Sequence, residues 1–363
     1  MSTAIIGGGI GGMITALYLQ KRGEEVTIFE KENRLGGRLA YFNGPEGYKI
    51  DEGPTIVLLP HIIQEILTEV NVDLNKIEMV KIDPIYPIHF KDGKSFVKWS
   101  DRSKQIEEVE KHFPGEGKAF ESYMTNMKER FEKGKKAFLD TSFVNKRSFW
   151  TQKNIRTLLK LKAYQTVNTQ TKKYFKSKQL QEAFSLQTLY IGGSPDQTPA
   201  LYSLVPYSEH EHGIWYIKGG YAYLAEVLTD ELTDRGITIE YESEVEDITV
   251  EEERATSLIV NGNARTFDRY ILNGDFPVVE RLVQKESKRK FIPSSGCLLI
   301  YLGLKEQLKT NYVHQFFMSD SLEEQMKDIF INKKLATESY HPASPKTRTS
   351  IFPFARAMEQ SID

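Results

Sequence analysis

The sequence predicts an α/β chain of α+β mixed character. One unit is built on a parallel sheet, and a second, discontinuous unit combines mixed sheet with helices. Three observations carry this. The first thirty residues read strand, glycine turn, helix, strand. Strand-like segments with turn signals return after residue 210. Between them lies a stretch with helical spacing and a strong basic bias.

The first unit opens with Ala4-Ile5-Ile6, an apolar run the size of a buried strand. Gly7-Gly8-Gly9-Ile10-Gly11-Gly12 follows, and Gly7, Gly9 and Gly12 fill a GxGxxG spacing. Met13, Ala16, Leu17 and Leu19 then recur at helical spacing, and Val26-Thr27-Ile28-Phe29 forms a second strand ending on Glu30. Gly7 allows the tight turn, Gly9 lets backbone approach a pyrophosphate, and Gly12 lets helix and strand pack closely. The helix N-terminus offers N–H groups and a positive dipole end to phosphate. A carboxylate at Glu30 stands where it can accept from a ribose hydroxyl pair. All parts fall in register. The sequence predicts a dinucleotide site.

Bulk properties narrow the classes. The 363 residues allow two domains, and 40% hydrophobic with 27% charged residues is ordinary for a globular protein. A net charge of -2 argues against a chain-wide nucleic-acid binder, and no nucleic-acid partner is expected. The single cysteine, Cys297, excludes an intrachain disulfide and a cysteine-based metal cluster, and fits a reducing cytosol. The first strand starts almost at Met1 without a basic leader, so no signal peptide is expected. No run approaches the roughly twenty apolar residues of a spanning helix.

Lys31-Glu32-Asn33-Arg34-Leu35-Gly36-Gly37-Arg38 follows Glu30 and returns a glycine pair to the nucleotide, with Arg38 able to pair with phosphate; a simple turn is the competing reading. Tyr48-Lys49-Ile50-Asp51 is a short strand running into Gly53-Pro54-Thr55.

On these blocks the chain resembles the FAD-dependent carotenoid desaturases of the wider amine-oxidase/phytoene-desaturase superfamily. The matching signatures are residues 7–30, Arg34-Leu35-Gly36-Gly37-Arg38 and Asp51-Glu52-Gly53-Pro54-Thr55-Ile56-Val57. The resemblance implies FAD rather than NAD. It places Gly7, Gly9, Gly11, Gly12, Glu30 and Lys31 at the ADP half and Gly36, Gly37 and Arg38 near the pyrophosphate. Gly53, Pro54 and Thr55 then lie near the flavin end, and the Val245 backbone at the adenine.

Further along, a helix is expected from Ile62 to Val70, and Ile88 to Val97 reads as a hairpin around Asp92-Gly93. Residues 101–136 suggest exposed amphipathic helices. Residues 128–178 hold fifteen Lys/Arg against three acids, interleaved with Phe138, Phe143, Phe149, Trp150, Leu158, Leu159 and Leu161. That mixture suits an anionic membrane surface; a solvated helical face is the competing reading, and nucleic acid a third. Phe184 to Pro195, Pro199 to Leu204 and Ile214 to Gly220 resemble the substrate-domain core of bacterial desaturases acting on thirty-carbon carotenoids, the dehydrosqualene (diapophytoene) branch, and almost equally the related terminal oxygenases.

Residues 237–241 read as a strand continued by 244–248, Asn261-Gly262 marks a hairpin, Tyr270-Ile271-Leu272 a strand and Leu298 to Leu304 another. His210 and His212 lack partners at ligand spacing and are expected on a surface or loop; no metal is expected and no Ser/His/Asp arrangement stands out.

The expected organisation is a FAD-binding domain over 1–85 and 210–290, and a substrate domain over 86–209 and 291–336. An irregular tail, 337–363, ends the chain, and from about Thr337 the resemblance stops. Family members continue well over a hundred residues further, so a truncated or frameshifted reading frame is expected, and an inactive remnant that folds in part is a competing reading beside desaturase and terminal oxygenase. The implied reaction removes two hydrogens per round from a lipophilic carotenoid, as a hydride to the flavin and a proton. The resemblance assigns no proton acceptor here, and leaves the catalytic residues and oligomeric state unknown. The implied location is cytoplasmic, peripheral on the cytoplasmic membrane.

Overall fold

The computed structural model describes residues 1–39, 41–47, 49–283, 290–291, 301 and 312–334. The expected strand from Leu298, Cys297 and the 337–363 tail lie outside the described residues. The chain forms two compact units, one from Met1–Lys81 with Trp215–Ile292, the other from Ile82–Ile214 with the described residues after 293.

The first unit begins with β1 (Ser2–Ile6), α1 (Ile10–Lys21) and β2 (Glu25–Phe29). The chain returns to it with α2 (Gly220–Asp234), β3 (Thr238–Glu240), β4 (Val245–Glu251), β5 (Arg254–Val260), β6 (Asn263–Arg265) and β7 (Arg269–Leu272). A parallel sheet runs in the order β7-β1-β2-β3, with Ile5 opposite both Ile28 and Ile271. Alternation along the strands assigns its two faces. Ile5 and Ile28 pack with Met13, Ala16 and Leu17 of α1 and with Leu224, Leu228 and Leu232 of α2. Ala4, Ile6 and Phe29 pack with Val245, Ile248, Leu258 and Val260. A sheet covered on both faces needs apolar residues at every position, which explains the unbroken run Ala4-Ile5-Ile6. Each fully buried Ile or Leu contributes about 1.5–3 kcal/mol relative to exposure.

Residues 244–248 do not continue the 237–241 strand. Glu242 takes φ 50°, the Ser243 amide bonds the Glu30 carbonyl at 2.8 Å, and β4 leaves for a separate antiparallel sheet β4-β5-β6. The Asn261-Gly262 hairpin forms as read, with φ of 48° and 74°, the two positive values a two-residue turn of this hand requires.

In the second unit, strands Tyr86–His89 and Ser95–Lys98 pair antiparallel, with Phe316–Phe317 added parallel to the first. Around them lie helices Arg102–His112, Gly117–Gly134, Gln152–Lys160, Val167–Tyr174 and Leu204–His212. Polar side chains start several of them: Asp101 accepts from the Lys104 amide, Thr151 from Asn154 and Thr166 from Thr169. The helix Gly117–Gly134 is not the exposed amphipath expected. It buries Phe120, Tyr123, Met124, Met127 and Phe131, a stripe at i, i+3, i+4, i+7 and i+11 that dense charge on its other faces obscures in the sequence.

Candidate functional site

The glycine turn is held from three sides. Gly7 takes φ +100°, its amide bonds the Phe29 carbonyl at 2.9 Å, and a Cβ there would lie 2.4 Å from the Asn273 carbonyl. Asn273 bonds Ile6 through its amide and donates from Nδ2 to the Gly7 carbonyl, both at 2.8 Å. A Cβ on Gly12 would lie 2.3 Å from the Gly7 carbonyl oxygen, so helix and turn meet at the closest approach backbone permits. The first helical bond of α1 runs from the Met13 amide to the Gly9 carbonyl, and the preceding amides point out of the helix end.

Gly9 differs from its neighbours. It has φ −67° and ψ 170°, which any residue adopts, and a Cβ would meet only Asn273 Nδ2, at 3.4 Å. Nothing in the fold demands glycine there. The open face beside it, at a helix N-terminus, is a cradle that a side chain would fill, which is what a pyrophosphate site requires.

The other signatures gather on this turn. The Gly36 amide bonds the Gly8 carbonyl at 2.9 Å, and a Cβ on Gly37, at φ +55°, would lie 3.0 Å from Gly9 Cα. A Cβ on Gly53 would lie 1.9 Å from the Arg38 carbonyl oxygen, which locks the third block against the second. Pro54 is exposed and Thr55 half-buried, just before Val57, whose amide bonds the Trp215 carbonyl at 2.7 Å. Glu30 is buried; one carboxylate oxygen accepts from the Gly8 amide at 2.7 Å, the other from Glu32 at 3.0 Å. Two fixed bonds orient the carboxylate beside the turn and leave acceptor capacity for hydroxyls.

The exposed Arg38 guanidinium pairs with both Asp275 oxygens at 2.8 Å. Lys31 is exposed and lies 3.7 Å from Glu32, so its own side chain is not drawn to the turn. Val245 starts β4, buried with Phe29 two residues beyond the Ser243–Glu30 bond. Sequence reading missed Asn273 and Asp51 as positioning residues. Asp51 accepts from the Ala222 amide at 3.3 Å at the start of α2, where a Cβ on Gly220 would lie 2.2 Å from its Oδ2. Both act across more than 150 residues, and no local spacing announces them.

The second unit holds a buried polar cluster. The Lys98 ammonium and Glu209 carboxylate, each 0% exposed, pair at 2.9 Å. Glu209 also accepts from the hydroxyls of Tyr86 at 2.9 Å and Tyr190 at 3.0 Å, and from Gln187 Nε2 at 3.1 Å. Rings of Phe184 and Tyr86 lie 4.9 and 5.2 Å from Lys98 Nζ. Burial pushes the Lys98 ammonium below its usual range, and Glu209 pulls it back. Burial and the Glu209 charge push both tyrosines well up.

His210 corrects an expectation. It is buried in the helix Leu204–His212, stacked on Phe184, with Nδ1–H donating to the Trp99 carbonyl at 2.7 Å. The half-buried His212 lies against Phe131 and Tyr207. The Glu-His-Glu-His-Gly run looks polar, but one helix turn carries Tyr207 and His210 inward together. Burial, then the Lys98 charge, holds His210 well below 6.5. The folded state therefore binds fewer protons there than the unfolded state. Its contribution is complete above the unfolded value of 6.5 and is lost as pH falls below it. Denaturant titrations should lose up to about 1.4 kcal/mol per pH unit below that point, and His210→Gln should flatten that slope. An unchanged slope would contradict the assignment. Among the described residues no group of three or more His, Cys, Asp or Glu could hold a metal. No described helix is long and apolar enough to cross a membrane.

The chain matches the family model described as flavin containing amine oxidoreductase over residues 10–309. It is 47% identical over 349 residues to a 4,4'-diapolycopen-4-al dehydrogenase of Metabacillus indicus, covering 94% of this chain and 71% of that protein. It is 31% identical to a 4,4'-diaponeurosporene-forming 4,4'-diapophytoene desaturase of Staphylococcus haemolyticus, covering 97% and 75%. Among solved structures, an oxidoreductase of Methanosarcina mazei matches with TM-score 0.54 and 17% identity over 78% of this chain, a likeness of fold. The chain spans 61% of that structure's chain.

Proposed function

The chain belongs to the family of flavin-containing amine oxidoreductases, and from that premise we propose that it binds FAD and desaturates an apolar thirty-carbon carotenoid precursor, dehydrosqualene (diapophytoene). The observation that carries the cofactor assignment is the open face at Gly9, a glycine the fold does not need. The N-terminal amides of α1 would meet the pyrophosphate, with Arg38 alongside once released from Asp275. Glu30 would accept from ribose hydroxyls, and the Val245 backbone would face the adenine. When bound, FAD supplies the two-electron acceptor for dehydrogenation. The second unit would carry the polyene. Its basic, aromatic segment 128–178 would dock on the anionic face of the cytoplasmic membrane, where a lipophilic substrate resides.

A second reading is favoured by the 47% identity to a protein named for a diapolycopen-4-al. In it the substrate is the aldehyde end of a carotenoid, oxidised to the acid with the added oxygen from water and the two electrons passing to bound FAD. One experiment separates the two. The chain with FAD is given diapophytoene or diapolycopenal in lipid dispersion, and products are resolved by chromatography with absorbance detection. Desaturation lengthens the chromophore of the first; aldehyde oxidation leaves it untouched and yields an acid from the second. Conversion of neither would sink both readings.

A further inference from the structure

The basic segment does more than spread charge over a surface. Of its fifteen cations, only Lys133, Lys135, Lys172 and Lys178 have a carboxylate within 4.0 Å among the described residues. The unpaired remainder is not uniformly scattered. Arg130 lies on the helix Gly117–Gly134, one turn before Gly134. A Cβ on Gly134 would be 3.7 Å from Leu161, which is buried, so the 161–165 turn sits over that helix end. Lys162 leaves this turn at φ 52°. Lys173, on the helix Val167–Tyr174, reaches the same turn through Gln165 Oε1 at 2.5 Å. Rings of Tyr123 and Tyr174, 5.4 Å apart, hold the two helices together beside it.

Three cations thus stand on three elements that meet at one turn. Of the two acids beside Arg130 on the first helix, Glu129 is taken by Lys133 and Glu132 acts on Tyr207. Arg130 Nη1 is buried without a hydrogen-bond partner among the described residues. A guanidinium nitrogen out of water and unpaired is costly unless an acceptor fills the place. The Lys173 ammonium is pushed down by burial and by the charges of Lys162 and Arg130, as expected when like charges meet with no anion between them.

The apolar surroundings identify the anion. Leu159 is 58% and Tyr164 68% exposed, flanking the turn, with Trp150 at 62% nearby in sequence. Phe138, Phe143, Phe149 and Trp150 form a ring cluster, with the Phe143–Phe149 and Phe149–Trp150 centroids each 5.0 Å apart. A soluble phosphate has no use for exposed Leu, Tyr and Trp, whereas an acyl chain beneath a phosphate does.

We propose that Arg130, Lys162 and Lys173 form a binding site for the phosphate of an anionic phospholipid, with Leu159 and Tyr164 against its acyl chains. The site rests on the membrane-surface reading above and gives it one stereochemical anchor. The guanidinium suits two phosphate oxygens at once, and the two ammonium groups supply point charges.

The test is co-sedimentation of the full chain with phosphatidylcholine vesicles, with and without phosphatidylglycerol, at matched ionic strength. Lys162→Gln/Lys173→Gln is compared with Lys146→Gln/Arg147→Gln, which removes the same charge from exposed positions outside the site. The first pair should weaken binding to phosphatidylglycerol vesicles on the order of 1000-fold, the second about 30-fold. Lys146, Arg147 and Lys173 are exposed and Lys162 is half-buried, so circular dichroism of each variant checks the fold. Equal losses would overturn the site while leaving the membrane reading intact. Failure of the unaltered chain to bind either vesicle would remove both. Displacement from vesicles by inorganic phosphate would reassign the site to a free anion, and preferential binding of a single-stranded oligonucleotide would reassign the surface to nucleic acid.

Discussion

Gly9→Ala is expected to emerge from gel filtration folded and colourless after mixing with FAD. The alanine methyl meets no atom closer than Asn273 Nδ2 at 3.4 Å, and the backbone at φ −67° accepts it. Stability should change by well under about 1 kcal/mol. In the proposed site the same methyl would stand where phosphate oxygens would reach the amides of α1, and overpacking a closed contact costs about 1–3 kcal/mol. FAD affinity should therefore fall by about a hundredfold, measured by quenching of flavin fluorescence. Gly12→Ala provides the contrast. Its methyl would lie 2.3 Å from the Gly7 carbonyl oxygen, so fold and affinity should fail together. Undiminished flavin binding by Gly9→Ala would mean that the open face holds something else.

Lys98→Ala is expected to be the most destabilising single change in the second unit. It leaves the Glu209 carboxylate at 0% exposure with only neutral donors from Tyr86, Tyr190 and Gln187. Breaking a buried ion pair from one side costs about 3–5 kcal/mol. For a unit of this size that corresponds to a fall of roughly 10 °C in the melting midpoint by calorimetry. Lys98→Met/Glu209→Leu, which removes both charges and keeps the volume, should recover much of the loss. A double variant as unstable as the summed singles would show that the two groups do not act as a pair.

Legibility followed sequence distance. The turn from Gly7 to Gly12, the α1 stripe and Glu30 were readable because their constraints are met within thirty residues. The Gly36-Gly37-Arg38 and Gly53 blocks were readable as resemblances, but the contacts that require glycine, Gly36 with Ala225, Gly37 with Gly9 and Gly53 with Arg38, are encoded by no spacing. Asn273 and Asp51 were not readable as positioning residues, because each meets its partner only once the chain returns to the first sheet. The break between β3 and β4 was invisible because a single positive φ at Glu242 redirects an otherwise continuous β pattern. Lys98 and His210 defeat the rule that charged residues face water. Each is compensated by partners from distant segments, Glu209 for one and the Trp99 carbonyl for the other.

The central claim is that the first unit holds FAD. The most direct measurement is the absorption spectrum of the purified chain after mixing with FAD and gel filtration. Bound-flavin bands co-eluting with the protein in about equimolar amount are the expected result, lost in Gly9→Ala. Protein that elutes folded but colourless would contradict the account, because the cradle at Gly9 would then be present without its ligand.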